Sequence, residues 1–194
     1  PVCWPWFGPH PSDASKPQHG FVRTMEWSFV HAESLADERT ELLLHLQDTV
    51  ATRMAWPHAF RLELRIRVGQ SLEVTLTTHN TSRRPVLISA ALHSYIAISD
   101  ILATLIKGLD EREYIDLTAS RQLARQSGPL EISGEVDRIY IDTEDACLVR
   151  DIEGRRVIQV GKSGSRSTVV WNPWSAKAAK LSDFPDNGYN SMVC

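Results

Sequence analysis

The chain has 194 residues with 21 Lys+Arg against 24 Asp+Glu, a net charge of −3, and is long enough for one domain with a substantial core. With 42% hydrophobic and 23% charged residues it has a soluble globular composition rather than a disordered one, and no apolar run reaches the roughly 18 residues of a membrane span. A slightly acidic chain without Lys/Arg blocks gives no electrostatic basis for binding nucleic acid or an anionic membrane surface.

The chain opens on Pro1-Val2-Cys3-Trp4-Pro5-Trp6, which lacks the basic-then-apolar order of a signal peptide. It stops at Met192-Val193-Cys194, and both ends lie in apolar, strand-like sequence, as expected of a piece of a longer polypeptide. A first strand is expected over Glu41–Leu46. Phe60, Leu62, Leu64, Ile66 and Val68 then alternate with charged residues, and Leu72, Val74 and Leu76 repeat the pattern after a turn at Gly69-Gln70. That pair predicts a hairpin with one buried and one wet face. Val86–Ile98 reads as a further strand-forming run, and Asp100–Ile106 fits either a helical turn or a strand. Arg138–Ile141, Arg156–Val160 and Thr168–Trp171 continue the series, and Ser175–Leu181 reads as a short helix capped by Ser175. Turn clusters at Asn80–Pro85, Ser127–Pro129, Glu153-Gly154 and Gly161–Ser165 separate these runs. Many short strands at this spacing imply an all-β sandwich or barrel. No repeat or linker divides the chain, so residues 1–194 read as a single domain.

The three cysteines, Cys3, Cys147 and Cys194, are odd in number, far apart and without C-x-x-C spacing. They suit a reducing cytoplasm better than a disulfide framework or a zinc cluster. No G-x-S-x-G elbow or phosphate loop is present, and the seven histidines (10, 19, 31, 45, 58, 79, 93) lack metal-ligand spacing, so most read as loop or surface residues and no metal is expected. His93 stands apart, because Ser89-Ala90-Ala91-Leu92-His93-Ser94-Tyr95 surrounds it with small residues. A histidine there is either a satisfied core residue or a general acid or base, since imidazole titrates near pH 6.5. Gln18-His19-Gly20-Phe21-Val22-Arg23 presents an amide and a guanidinium from one loop. Arg23 there is either a solvated cation or a phosphate ligand, which its planar fork suits. Asp137 sits where a loop enters a strand, as a turn cap or as an acceptor of sugar hydroxyls. Trp4, Trp6, Trp27, Trp56, Trp171 and Trp174 are expected mainly in the core, although indole also stacks on the apolar faces of sugars.

Read in order, the segments Pro1-Val2-Cys3-Trp4-Pro5-Trp6-Phe7-Gly8, Gln18–Arg23, Trp56-Pro57-His58-Ala59-Phe60, Ala91–Tyr95, Gly134–Tyr140, Trp171-Asn172-Pro173-Trp174 and Asp183–Tyr189 resemble the hexose-6-phosphate mutarotases (glucose-6-phosphate 1-epimerases), a branch of the aldose 1-epimerase family. The resemblance spans nearly the whole chain. It implies a large twisted antiparallel β-sandwich of the galactose-mutarotase type with few short helices. It also implies interconversion of the α and β anomers of an aldose 6-phosphate, with no cofactor. His93 matches the histidine that protonates the ring oxygen. Gln18 and Arg23 match substrate-binding positions, Arg23 as the phosphate contact, and Asp137 matches a sugar-binding aspartate.

For His93 to serve as acid it must be protonated in the complex, which Asp137 or the phosphate would favour. The family's base is a glutamate two residues beyond a cysteine that matches Cys194, where the sequence stops. An arginine ahead of the Pro-Val-Cys-Trp motif is likewise outside it. A positioned acid or base contributes ~10²–10⁴-fold, so the chain as written is expected to be a poor catalyst, and sheet edges left open at its ends are expected to promote self-association. For the intact protein the expected state is a cytoplasmic monomer acting on a small sugar phosphate, without nucleic-acid or membrane partners. The alternatives are a non-catalytic sugar-phosphate-binding protein on the same fold, or a scaffold with no sugar site.

Overall fold

The computed structural model describes all residues from Pro1 to Cys194, which form two compact units, Pro1–His93 and Ser94–Cys194. In the first unit the alternating sequence does what its period requires. Strands β1 (Val2–Cys3), β2 (Ser28–Ser34), β3 (Thr40–Gln47), β4 (Phe60–Val68), β5 (Leu72–Asn80) and β6 (Ala91–Leu92) accompany one short helix, α1 (Val50–Ala55). β2-β3-β4-β5 form an antiparallel sheet in sequence order. The hairpin predicted around Gly69 is present with Val68 opposite Leu72, and every second residue from Phe60 to Ile66 lies on one face.

That face, with Leu44, Leu46, Val74 and Leu76, packs on Trp4, Trp6, Val22 and Trp56. The indole of Trp4 is fully buried, 4.5 Å from the Phe60 ring and 5.0 Å from Trp56. Helix α1, absent from the sequence reading, is set by a capping box in which Thr49 and Thr52 exchange side-chain and backbone hydrogen bonds.

The opposite face of this sheet carries the charges. Arg65 donates to one oxygen of Glu41 at 2.6 Å and Arg67 to the other at 2.7 Å, with His31 Nε2 3.3 Å away. The two arginines hold the Glu41 carboxyl at about 2, below its ordinary 4.5. A carboxyl depressed by folding contributes stability above its unfolded value and loses it as pH falls toward the folded one. The Glu41 contribution is therefore expected to be intact above pH 4.5 and to vanish between there and pH 2. Urea midpoints measured from pH 7 to pH 2 should fall more steeply for the native protein than for E41Q; parallel curves would refute the role given to this carboxylate.

β1 pairs with β6, placing Val2 opposite Leu92 and Cys3 opposite Ala91. The apolar run 86–98 does not form the continuous strand expected of it. It contains only β6 and, in the second unit, β7 (Ile96–Ala97), while Leu87 is left 93% exposed. Its partner is the Pro-rich opening segment, and a proline has no N–H with which to extend a ladder. Isolated bonds take over: Ser89 N–H donates to Pro5 O at 3.0 Å and Ser89 Oγ accepts from Phe7 N–H at 2.9 Å.

In the second unit, β8 (Thr104–Lys107), β9 (Glu113–Asp116), β10 (Gln122–Arg125), β11 (Leu130–Glu131), β12 (Val136–Tyr140), β13 (Cys147–Asp151), β14 (Arg156–Val160) and β15 (Thr168–Asn172) form two antiparallel four-stranded sheets, β10-β9-β12-β15 and β11-β8-β13-β14. β16 (Met192–Val193) pairs with β7. Tyr114, Val136, Tyr140 and Val170 of one sheet share a core with Ile106, Leu130, Cys147 and Val149 of the other, which is sandwich packing.

The ambiguous stretch 100–106 is both things in turn, a 3₁₀ turn at Ile101–Ala103 capped by Asp100 and then β8. The helix near the end, α2, spans Trp174–Ala178 rather than Ser175–Leu181, and Ser175 does not cap it. Asn172 takes that task instead: its Oδ1 accepts the Trp174 N–H at 2.9 Å, because Pro173 has none to offer. The chain is thus mostly antiparallel strand with two short α-helices, the fold class that its alternation and turn spacing predict. No helix is long and apolar enough to cross a membrane.

Candidate active site

The loop 18–23 owes its path to one residue. Gly20 adopts φ +73° and forms a parallel bridge with Trp4, so close that a Cβ on it would lie 2.0 Å from the Trp4 carbonyl oxygen. Only glycine can take that backbone and that approach together. Beside it His19 is locked reciprocally to Gly8: its N–H donates to Gly8 O at 2.8 Å, and its Nδ1 accepts the Gly8 N–H at 3.1 Å. With Nδ1 accepting, the proton of the neutral ring resides on Nε2. Gln18 is exposed at the loop tip, and Arg23 projects from a 3₁₀ turn at Val22–Thr24, also exposed.

His93 follows β6, its N–H bound to Pro1 O at 2.9 Å, and its ring stands edge-on to His19 with centroids 6.3 Å apart. It is half-buried, neither sunk in the core nor fully solvated. Burial pushes its pKa below 6.5, and the neighbouring His19 and Arg23 act in the same direction. His19 is likewise pushed down, first by burial and then by Arg23. The raised value wanted of a general acid is therefore not built in by these neighbours, and an anion arriving among His93, His19 and Arg23 is what would supply it. Cys3, buried and in the field of Arg23, has its thiol pushed up by burial, which keeps it protonated and unreactive.

Of the four residues singled out from sequence, the structure groups His93 with Arg23 in one electrostatic neighbourhood of the first unit. Gln18 precedes His19 in the chain and is exposed. Asp137 belongs to the second unit. It lies on β12 directly opposite Trp171 of β15, and its carboxyl is pushed up by burial, with Lys177 opposing and Glu135 and Asp116 assisting. His19 and Lys177 carried no separate signal in the sequence, since each becomes notable only through what stands next to it.

The remaining histidines on strands serve the polar face of the first sheet: His31 faces Glu41, while His45 and His79 face Glu63 at 3.6 and 3.2 Å. They occupy strands rather than loops. His31, Glu33 and Glu41 bring their ligand atoms within 4.8 Å of one another. Both Glu41 oxygens are already engaged by guanidinium groups, however, and two fixed cations repel a third. Cys3, Cys147 and Cys194 are all free thiols.

Comparison with known proteins supplies the context for this geometry. The family model described as aldose 1-epimerase matches residues 1–194. A Salmonella typhimurium protein provisionally named glucose-6-phosphate 1-epimerase is 33% identical over the whole chain, and one from Cenchrus ciliaris with the same provisional name is 32% identical. The chain spans 64% and 61% of their lengths, respectively. Among solved structures, a protein of Salmonella typhimurium provisionally described as a mutarotase superposes with a TM-score of 0.92 at 33% identity, covering all of this chain and 64% of that one. A galactose mutarotase related enzyme from Lactobacillus acidophilus reaches a TM-score of 0.74 at 16% identity over all of this chain and 68% of that one, a likeness of fold alone. A full-length family match, antiparallel strands of the mutarotase type and the order of the motifs agree, and the chain belongs to the aldose 1-epimerase family.

Proposed function

We propose that the protein carrying these residues interconverts the α and β anomers of an aldose 6-phosphate by acid–base opening of the hemiacetal ring. The observation that carries this reading is the grouping of His93, His19 and the Arg23 guanidinium around the Gly20 turn. Ring opening needs a proton delivered to the ring oxygen while another leaves the C1 hydroxyl. The aldehyde rotates about C1–C2 and recloses on its other face, with no change of oxidation state.

A half-buried imidazole with a depressed pKa is mostly unprotonated near neutrality when alone and holds its proton beside a dianion. A phosphate held by Arg23 raises the His93 pKa and so ties protonation to binding of the phosphorylated sugar. Gln18 offers an amide and Asp137 an acceptor for sugar hydroxyls, the parts that their matches in the family play. The provisional names of the relatives point to glucose 6-phosphate as the first substrate to test. Three free thiols favour a cytoplasmic setting. The intact protein is taken as a monomer.

The test is polarimetry on freshly dissolved α-D-glucose 6-phosphate with the full-length protein. R23A is expected to raise KM for the phosphorylated sugar about 10–100-fold, the loss of a charge-assisted phosphate contact, and not to slow the weak turnover of unphosphorylated glucose, since it relieves the His93 imidazolium of a neighbouring cation. If it slows both sugars alike, Arg23 is not the phosphate contact. Saturable binding of glucose 6-phosphate without any anomerisation would favour a non-catalytic binding protein instead.

A further inference from the structure

The second unit holds a cluster that the proposed chemistry has not used. Glu135 and Asp137 are two residues apart at the start of β12, so their side chains leave the same face of the sheet. Lys177 of α2 reaches both, with Nζ 2.7 Å from Glu135 Oε1 and 3.9 Å from Asp137 Oδ2. The helix that presents it is short but fixed at its base. Asn172 is fully buried, accepts the Trp174 N–H, and donates through Nδ2 to Tyr189 O at 2.9 Å and Met192 O at 3.0 Å. Directly across the ladder from Asp137 is Trp171, whose half-buried indole has Tyr95 and Phe184 edge-on around it. A flat apolar ring beside a carboxylate is the pairing that meets a pyranose, with C–H groups over the indole and a hydroxyl donating to the acid.

We infer that Lys177 is a positioning residue for Asp137: anchored to Glu135, its ammonium holds the Asp137 carboxylate in the orientation that accepts a sugar hydroxyl. This rests on the reading of Asp137 as a substrate contact. The charged groups around Asp137 are Glu135 ahead of it on the chain, Asp116 on β9 and Lys177 on α2, while Arg138 turns to the other face, toward Asp116 and Tyr114. Lys177 is thus the cation shared by the Glu135 and Asp137 carboxylates, and removing it leaves half-buried Asp137 beside Glu135 with no compensating charge on that face. A protonated Asp137 would present a donor where an acceptor is needed.

The experiment uses K177M, K177R, D137N and the double variant D137N/K177M of the full-length protein, with α-D-glucose 6-phosphate as probe. K177M is expected to raise KM about 3–10-fold with kcat within about twofold. It should also move the acid limb of kcat/KM to higher pH by about 0.5–1, the scale of one partly screened charge at 4 Å. A ¹³C titration of the Asp137 carboxyl, assigned with D137N, should show the same upward movement with no substrate present. K177R should restore both, and K177M should add nothing once Asp137 is Asn. If D137N raises KM but K177M moves neither KM nor the Asp137 titration, or if the two changes add fully, Lys177 does not act through Asp137. If D137N itself leaves KM unchanged, the reading of Asp137 fails and this inference with it.

Discussion

H93Q in the full-length protein is expected to slow the anomerisation of α-D-glucose 6-phosphate by ~10²–10⁴-fold while changing KM only a few-fold. That is the range for removing a positioned proton donor that leaves substrate contacts in place. Glutamine keeps the bulk and a hydrogen-bonding end but cannot carry the proton. The pH dependence gives a second reading of the same group. An acid that must be protonated loses activity as pH rises through its pKa, and burial together with His19 and Arg23 holds that of His93 below 6.5 in the absence of other charges. The alkaline limb of kcat/KM, which reports the free enzyme, is therefore expected at lower pH than the limb of kcat, which reports the complex with its phosphate dianion. A loss of less than tenfold in H93Q, or limbs that coincide, would remove His93 from the role of acid.

G20A is expected to destabilise the protein far more than its size suggests. Alanine at φ +73° costs about 1–2 kcal/mol by itself. Here its Cβ would also stand 2.0 Å from the Trp4 carbonyl oxygen and 2.9 Å from Pro5 N, both backbone atoms of a segment whose indole is fully buried. The backbone must move, and a total of at least ~3 kcal/mol follows, or a fall in Tm of roughly 6–12 °C for a chain of this size. G8A is the control, with the same sign of φ, +79°, but nothing within 4 Å of the added Cβ. It should cost only the backbone part. Equal losses in the two variants, measured by thermal unfolding, would show that the approach to Trp4 is not what demands glycine at position 20. Because the Gly20 turn carries His19 and Arg23, any folded G20A protein should also bind the sugar phosphate poorly.

The family resemblance was legible because it resides in short motifs that survive as strings, such as Gln18–Arg23 and Trp171–Trp174. The strand from Phe60 to Val68 was legible because a half-buried strand writes its two faces into alternate residues, whereas Arg156–Val160 showed only as a short apolar run between turn clusters. β2 and β10 were not, since their outward positions include exposed apolar residues, Phe29 at 66% and Leu123 at 56%, and alternation is lost. Apolar run length misled at residues 86–98, where the partner segment is proline-rich and the ladder cannot continue.

From sequence alone came the class of the fold, the period of its main strands and the choice of His93, Gln18, Arg23 and Asp137 as candidates, because patterning and motifs are local properties of the string. Only the tertiary structure decided what surrounds them: His19 beside His93 across 74 positions of sequence, and Lys177 beside Glu135 across 42. Charge and burial act through space, falling off with distance rather than with chain separation. The direction in which His93 and Asp137 are pushed therefore depends on neighbours that no spacing rule in the sequence could name.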